Sequence, residues 1–466
     1  MVPALVRWLP LSVVLLWQMS CAVPLGPGYQ IRRQEIALRY APAQPGAVHV
    51  RVQYELENTG NAPLATLAIT LPVVAATPAG NLVVTVEGRA ARLQPEAMPT
   101  VEPSRRAALA IAFSPPWPQR EKIQLSLDYH LPLRANAPGE NLPRAFLLES
   151  ADWFAELVPP DRVFARGTGR GETVRVRIRV PAGWRVLSAG RPKGSRSRGA
   201  EIEHRYEVRR DDADPFVLAG HYHEQRFQAL GQRVIFWSLA RPERAELAPW
   251  ATEVAEILAY LEQILGSREQ PAAPVWVAEW PSAGVPAPFQ GELMRPVSFV
   301  RGMLLVPPWE KSSVSQSQYS GAIAHALAEL WLRWLAKPVN ELGEGWAAYL
   351  SCLAREHRQH SVSDCSAEAL LRVHQAQSSA GAAPAAAALK AHLLAVALEE
   401  RLGRPVVLAA LRRMLQARRG QTWNANDLRA ALEAESSQDL GECFRIWLGQ
   451  RDIPEAFRKR AVQGTR

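Results

Sequence analysis

Residues 174–180 read Val-Arg-Val-Arg-Ile-Arg-Val, a strict alternation of apolar and basic side chains. Successive side chains of an extended strand point to opposite faces of a sheet, so one face of this stretch packs on a core and the other meets water. The same period of two recurs in residues 48–56 and 123–129, with turn-forming residues between such stretches. These patterns predict an antiparallel β-sheet domain from about residue 30 to residue 227.

Beyond residue 227 the apolar period becomes helical. Residues 243–265 carry apolar side chains at helical spacing and are followed by Gly266, a residue suited to a C-terminal cap. We predict a short strand at 274–278 and further helices at 319–336, 344–356, 389–402, 406–418, 425–435 and 440–448. The front half of the Ala-, Ser- and Gly-rich stretch 375–391 is interpreted as a connection. The predicted fold class is therefore α+β and multidomain, with helices packed behind a small sheet.

Composition narrows the class of protein. The chain has 466 residues, 48% of them hydrophobic and 21% charged, which excludes a disordered tail, a coiled coil and a polytopic membrane protein. Its formal net charge is +9, and only six of the 54 basic residues are Lys, so 48 are Arg. These arginines are spread along the chain among acidic residues, and we predict no nucleic-acid partner. Four cysteines are too few for a Cys-rich zinc module.

The N-terminus is typical of an export signal. Arg7 precedes a short apolar core at residues 8–17, and small residues follow it. Cleavage after Ala22 is preferred, lipid attachment at Cys21 is the alternative, and an uncleaved anchor is third because ten apolar residues cannot span a bilayer. We expect a periplasmic or secreted protein that touches a membrane only through a lipid on Cys21. The predicted segments are a signal at 1–22, a β-sheet domain at 23–227 and a helical domain at 228–466.

Export also bears on the remaining cysteines. An oxidising compartment permits a disulfide between Cys352 and Cys365, although the sequence does not decide whether the two are joined.

The constellation that stands out for chemistry lies on two consecutive predicted helices. Residues 325–329 read His-Ala-Leu-Ala-Glu, and residues 343–349 read Gly-Glu-Gly-Trp-Ala-Ala-Tyr. His325 and Glu329 are four residues apart and share one helical face, so both can reach one metal ion, with Glu344 as a third ligand. From spacing alone, a local hydrogen-bonded His–Glu pair is the alternative.

The order of these features resembles the membrane alanyl aminopeptidase family of gluzincin metallopeptidases. In that family a β domain precedes a thermolysin-like helical domain that carries His-Glu-x-x-His and then a Glu in an Asn-Glu-Gly setting. Residues 323–331 are similar to the zinc-binding helix and residues 342–349 to the third-ligand helix, while 181–190 are similar to a strand and turn of the β domain. The resemblance spans about residues 30–454 and implies a thermolysin-like, mainly helical gluzincin domain at 228–466.

Transferred residue by residue, the resemblance implies a degenerate site. His325 keeps the first zinc-ligand position and Glu344 the third, but Glu329 stands where the family has its second His. Ala326 occupies the position of the Glu that takes a proton from zinc-bound water, and a methyl group accepts no proton. Ala388 occupies the position of the Tyr whose hydroxyl stabilises the oxyanion.

The substrate-binding motif is altered as well. The stretch Gly291-Glu292-Leu293-Met294-Arg295 resembles the family's Gly-x-Met-Glu-Asn, whose Glu holds the free amino group of the substrate. We therefore take Gly291, Glu292, Met294 and Arg295 as candidate substrate-binding residues. With Met294 matched to the Met of the motif, Arg295 puts a cation where the family has an anion, and a substrate ammonium group would be repelled there unless Glu292 takes over this role.

A metal-free site has an electrostatic consequence. Two carboxylates held close together repel, so either Glu329 or Glu344 is expected to take up a proton or to pair with Arg333 or Arg295.

The preferred hypothesis is an exported pseudopeptidase that binds a peptide or a protein partner in the cell envelope. It would need no cofactor, although zinc or another divalent cation could occupy His325, Glu329 and Glu344. The alternative is an active metallopeptidase that uses this altered site, and a third hypothesis is a lipid-anchored envelope assembly factor. Three further candidates are weaker: a metal site at His221 and His223, a Ser nucleophile within 312–317, and a replacement base at Glu341, Glu344 or Glu356.

Overall fold

The computed structural model describes residues 28–40, 46–72, 75, 81–95, 106–133, 145–148, 153–158, 173–209, 216–267, 274–279, 298–300, 303–306, 316–338, 342–359 and 383–449. The chain divides into two compact units, Met1–Ala219 and Gly220–Arg466. The division falls eight residues before the predicted boundary at 227. The reason is that the strand His223–Ala229 pairs with Gln232–Ser238 of the second unit.

The first unit consists of β-strands, as the period of two predicts. Their bounds are β1 Gln30–Tyr40, β2 Ala47–Glu57, β3 Leu64–Pro72, β4 Val83–Val86, β5 Arg89–Ala90, β6 Arg92–Pro95, β7 Arg106–Trp117, β8 Lys122–Pro132, β9 Ala145–Leu148, β10 Glu156–Val158, β11 Thr173–Pro181, β12 Arg185–Ser188, β13 Arg191–Arg198, β14 Glu201–Arg209 and β15 Val217–Gly220. The stretch that opens the sequence analysis is β11, and its Val and Ile side chains are buried while its arginines are not.

Within the described residues these strands form three sheets. The largest has the order β13-β14-β11-β1-β2-β8-β4-β5, and the smaller two are β10-β3-β7-β6 and β12-β15-β9. The prediction of an antiparallel sheet needs one correction, because β1 and β11 run parallel. A parallel pair requires a long crossover connection, and all the strands from β2 to β10 lie between β1 and β11 in sequence.

The core of the first unit lies on the inward face of the largest sheet. Ile36, Val50, Leu127 and Val176 on four of its strands are all fully buried. Two tyrosines extend from this face and satisfy backbone groups beyond the sheet. The Tyr54 hydroxyl donates to the carbonyl of Ala155 at 2.7 Å. Polar atoms buried in an apolar core need hydrogen-bond partners, and this bond supplies one.

One turn of the first unit depends on glycine. Gly190, between β12 and β13, has a φ of +87°, which L side chains rarely adopt. A Cβ at this position would stand 2.3 Å from the Glu207 carbonyl oxygen of β14. Glycine is thus needed both for the backbone conformation and for the close approach of the two chains.

The second unit contains a mixed sheet and helices. Its strands are β16 His223–Ala229, β17 Gln232–Ser238, β18 Val275–Glu279, β19 Ser298–Val300, β20 Met303–Val306, β21 Lys337–Pro338 and β22 Thr422–Trp423. We number its described helices α1 Arg244–Leu265, α2 Gln316–Leu335, α3 Leu342–Gln359, α4 Ala383–Leu402, α5 Arg404–Ala417, α6 Ala425–Ser436 and α7 Gly441–Gly449. The five-stranded sheet β16-β17-β18-β20-β19 pairs β17, β18 and β20 in parallel.

Sheet and helices share one apolar core in this unit. Val234 and Val277 of the sheet belong to the same buried cluster as Leu258 of α1, Leu327 of α2 and Leu394 of α4. The predicted helices agree with these elements to within a few residues, except that α4 begins at Ala383 and not near 389. Alanine has the highest helix propensity, and Pro384 fits the first turn, so the alanine-rich residues before 389 are helical as well.

Two findings concern the membrane and the cysteines. In the described part of the chain, no helix is long and apolar enough to cross a bilayer. Cys352 is disulfide-bonded, to a partner outside the described residues, and Cys443 is a free thiol.

Candidate functional site

Helix α2 carries the first half of the predicted constellation. His325 and Glu329 lie four residues apart on this helix, and both side chains are half-buried. Ala326 faces the core and is 2% exposed. Ala326, which the resemblance matches to the family's general base, is thus a packing residue with no acid–base group.

Glu329 is engaged by the next turn of its own helix. The Arg333 guanidinium donates from Nε at 3.1 Å and from its terminal nitrogen at 2.7 Å, both to Glu329 Oε1. The expectation that a carboxylate of this site would pair with Arg333 is confirmed for Glu329. Both hydrogen bonds go to Oε1, so a metal ion would have to displace Arg333 from this oxygen or bind through Oε2.

The second half of the constellation lies at the start of α3, where glycines allow close packing. A Cβ on Gly345 would stand 2.4 Å from the Ala391 Cβ and 2.5 Å from the Ala388 carbonyl oxygen of α4. The backbone of the Glu344 turn therefore lies directly against α4. It also lies beside Ala388, the position at which the family places its oxyanion Tyr.

The residues present do not fit the zinc ion that the resemblance implies. Among the described residues, which include His325, Glu329 and Glu344, no group of three or more His, Cys, Asp or Glu side chains could hold a metal ion. Two of the three donors are carboxylates, and one of these is bound to Arg333. An oxygen-rich donor set also binds zinc less well than a set with two imidazoles.

A polar network fixes the far end of the α3 motif. The Tyr349 hydroxyl donates to Glu399 Oε2 of α4 at 2.5 Å. Arg404 of α5 in turn donates to Glu399 Oε1 at 2.7 Å and pairs with Glu356 of α3 at 3.1 Å. Burial first, and then the hydrogen bond and charge of Glu399, raise the pKa of Tyr349 well above its usual value. The Tyr349 hydroxyl thus stays protonated and donates a hydrogen bond that joins α3 to α4. Glu356 is ion-paired with Arg404 in the same network.

A second network joins α1, α2 and α3. Arg358 donates to Glu253 Oε1 of α1 at 2.7 Å and to Ser320 Oγ of α2 at 2.9 Å. It also pairs with Glu256 at 2.9 Å. The Glu253 side chain is only 4% exposed, so its charge depends on Arg358 for compensation.

Several predicted site residues lie outside the described parts of the chain. These are Gly291, Glu292, Met294, Arg295 and Glu341, the serines 312–315, and the cysteines Cys21 and Cys365.

The histidines at the start of the second unit are described. His221 and His223 flank the buried Tyr222 in sequence, and their ring centroids lie 6.3 Å apart. The Tyr222 hydroxyl donates to the Glu279 carbonyl at 3.1 Å, which accords with a structural role for this segment.

Sequence reasoning missed the residues that hold the site together. Arg358 lies 105 residues from its partner Glu253, and Glu399 lies 50 residues from its partner Tyr349, so no spacing marks these residues as partners. His392 was missed as well: it is 4% exposed on α4, and its backbone nitrogen would stand 2.7 Å from a Cβ on Gly345. The pair of Glu329 and Arg333 is the exception, because its spacing of four residues on one helix is readable.

Solved structures identify the fold. An M1 zinc metallopeptidase from Deinococcus radiodurans matches with a TM-score of 0.57 and 16% identity over 92% of this chain and 96% of that one. A glutamate-to-alanine mutant of the M1 enzyme from the same organism, bound to a Tyr-Ser-Ala substrate, matches with a TM-score of 0.56 and the same coverage and identity. No protein-family model and no curated protein matches the sequence.

The structural matches define the fold. The chain has the α+β, multidomain fold of the M1 zinc metallopeptidases, with a large N-terminal sheet unit and a second unit that carries His325, Glu329 and Glu344. The resemblance read from the sequence motifs is thereby confirmed at the level of fold.

Proposed function

We propose that this protein is an exported pseudopeptidase, a non-catalytic chain with a metallopeptidase fold that binds a peptide or a protein partner. The observation that carries the proposal is the state of the zinc-helix positions, where Ala326 is a buried methyl group and Glu329 is bound to Arg333. Loss of a general base or of an oxyanion donor each lowers turnover by about 100-fold or more, although such losses are not additive. Both positions are alanine here.

Peptide binding can persist without catalysis. One solved neighbour is a glutamate-to-alanine mutant bound to a Tyr-Ser-Ala substrate, so that mutant holds a peptide. We extend this behaviour to the natural substitutions of the present chain. The signal-like residues 1–22 and the disulfide of Cys352 support export into an oxidising compartment, such as the periplasm.

The first test is metal content together with turnover. The purified chain is expected to hold less than stoichiometric zinc and to show no chelator-sensitive hydrolysis on aminopeptidase and endopeptidase substrates. Glu329→His releases Arg333 and supplies the second imidazole, so it is expected to bind about one zinc per chain. The matched control Glu329→Gln removes the carboxylate without adding a ligand and should gain no zinc. Metal is measured by elemental analysis.

One result would reverse the assignment. Stoichiometric metal in the unmodified chain together with turnover that a chelator abolishes would establish the alternative, an active metallopeptidase with a His325, Glu329 and Glu344 site.

The second test concerns the amino terminus of the bound peptide. Because Arg295 replaces the carboxylate that holds a substrate ammonium in the family, N-acetyl-Tyr-Ser-Ala is expected to bind at least as tightly as Tyr-Ser-Ala. Arg295→Glu should invert this order by roughly tenfold, the size of one charge-assisted hydrogen bond. Isothermal titration of both peptides against both chains measures the difference. Tighter binding of the free amine to the unmodified chain would contradict this role of Arg295.

A further inference from the structure

The arginines that are spread along the sequence meet on one face of the first unit. Arg175, Arg177 and Arg179 of β11 alternate with buried apolar residues and therefore share the outward face of the largest sheet. Strand register places Arg205 of β14 opposite Arg177, and Arg196 of β13 opposite Glu203 of β14. Partners in register lie on the same face, so three neighbouring strands present their charged residues together.

We call the outward side chains of β11, β14 and β13 the basic face. It holds nine Arg and Lys residues against three carboxylates, Glu201, Glu203 and Glu207, an excess of six positive charges. The adjoining strand β1 adds Arg33 and Arg39 against Glu35 and does not reverse the sign. Strands lie about 4.8 Å apart and rise about 3.3 Å per residue, so the face covers roughly 10 by 25 Å.

The cations of this face reach solvent. Arg179, Arg198 and Arg205 surround the fully buried carboxylate of Glu203, yet 34%, 41% and 45% of their side chains stay exposed. Burial alone would raise the pKa of Glu203, but hydrogen bonds from Arg179 and Arg205 outweigh it and lower the pKa. One carboxylate thus orders three arginines while it neutralises one charge. Every residue of the edge strand β13 is exposed.

The chemistry of the face favours a planar array of phosphates. The outward positions of β11, β14 and β13 carry no aromatic side chain, so the face lacks the stacking platform that binders of single-stranded nucleic acid use. β1, which pairs directly with β11, begins at Gln30, only nine residues after Cys21. An extended segment of that length reaches about 30 Å at most, so a lipid on Cys21, the alternative to cleavage after Ala22, would keep the face close to a bilayer.

We propose that the basic face docks the sheet unit on a membrane surface rich in anionic phospholipid. The attraction is electrostatic and acts between the excess arginine charge and lipid phosphates, as for other polybasic surfaces. It does not depend on the state of the His325 site, which lies in the other unit.

Vesicle binding of charge variants tests the proposal. Arg175 and Arg191 act on Glu207 through their charge alone, while the salt bridges of Glu207 and Glu203 are made by Lys193 and by Arg179, Arg198 and Arg205. Replacing Arg175, Arg191 and Arg196 by Gln therefore removes charge and keeps these salt bridges. The matched control replaces Arg89, Arg92 and Arg120 by Gln, which removes the same charge from β5, β6 and the turn before β8. Circular dichroism and thermal unfolding check that both triple variants are folded.

Each measurement uses the chain from Val23 onward, which lacks both the apolar residues 8–17 and Cys21, so that neither the signal nor an acyl chain contributes. The chain with an unmodified basic face is expected to bind vesicles that contain about one third phosphatidylglycerol and not to bind pure phosphatidylcholine vesicles. It should dissociate from the anionic vesicles as salt rises from about 0.05 to 0.5 M. The basic-face variant should bind the anionic vesicles about 100-fold more weakly, and the control should change less than about threefold.

Three outcomes would overturn the proposal. They are equal binding to neutral and anionic vesicles, equal weakening by the two triple variants, and no effect of the basic-face variant. Tighter binding to a random-sequence DNA duplex than to the vesicles at the same salt, lost in the basic-face variant, would assign the face to nucleic acid instead.

Discussion

Arg358→Met is expected to destabilise the helical unit by about 3 kcal/mol, near the lower end of the cost of leaving a buried charge without its partner. Glu253 keeps 4% of its side chain exposed and receives a 2.7 Å hydrogen bond from Arg358. The same guanidinium holds Ser320 of α2, so the substitution also removes a link among α1, α2 and α3. Methionine preserves the aliphatic stem, which confines the change to charge and hydrogen bonding.

Thermal unfolding followed by the helical circular dichroism signal measures this effect. For a unit of this size the midpoint should fall by about 6 to 12 °C. Glu253→Gln added to Arg358→Met should restore part of the loss, because the buried charge is then gone. Arg445→Met is the surface control: Arg445 and Glu442 form an exposed pair within one helix, and its loss should change the midpoint little. A midpoint unchanged by Arg358→Met would show that Glu253 is compensated in another way.

Gly345→Ala is expected to destabilise the same unit by about 1 to 3 kcal/mol, although alanine is the better helix former. The new Cβ would stand 2.4 Å from the Ala391 Cβ, 2.5 Å from the Ala388 carbonyl oxygen and 2.7 Å from the His392 nitrogen. These are close contacts with another helix, two of them with its backbone, so α3 and α4 must separate. The turn that carries Glu344 should move with them.

Gly321→Ala provides the matched control. Gly321 is also helical, but its added Cβ would lie 3.5 Å from the Arg355 side chain, an ordinary contact. This variant is expected to be neutral or to stabilise the chain by up to about 1 kcal/mol, the helix-propensity gain of Ala over Gly. Denaturant unfolding of both variants measures the difference, and Ala391→Gly should relieve part of the Gly345→Ala defect. Equal effects of the two glycine substitutions would contradict the close approach of α3 to α4.

Local periodicity predicted most of the elements, because a strand or a helix alternates its faces with its own period whatever its partners are. The residues 174–180 became β11, and the stretches with a period of 3.6 became helices at nearly the expected bounds. The errors have local causes too. Helix α4 begins at Ala383, before the predicted start near 389, because alanine favours a helix even without an amphipathic pattern. β1 pairs in parallel with a strand that no local pattern identifies as its neighbour.

For the site, the sequence alone identified the motif positions and the substitutions within them. The engagement of Glu329 by Arg333 was expected as one of several pairings, because residues four apart on a helix are neighbours. The sequence did not identify the partners of Glu253 and Tyr349. Those pairs join helices separated by about 50 to 100 residues, and only packing brings them together.

The arginines show the same division. The sequence by itself determined that Arg175, Arg177 and Arg179 share one face of a strand, since side chains of a strand alternate. From the sequence alone, the remaining arginines are interpreted as scattered along the chain. Only the tertiary structure decided that β13, β14 and β11 are neighbours in the sheet, which turns a dispersed net charge into a basic face. The physical reason is that strand order and register are set by non-local pairing and by the burial of the opposite face, and neither is encoded in any single segment.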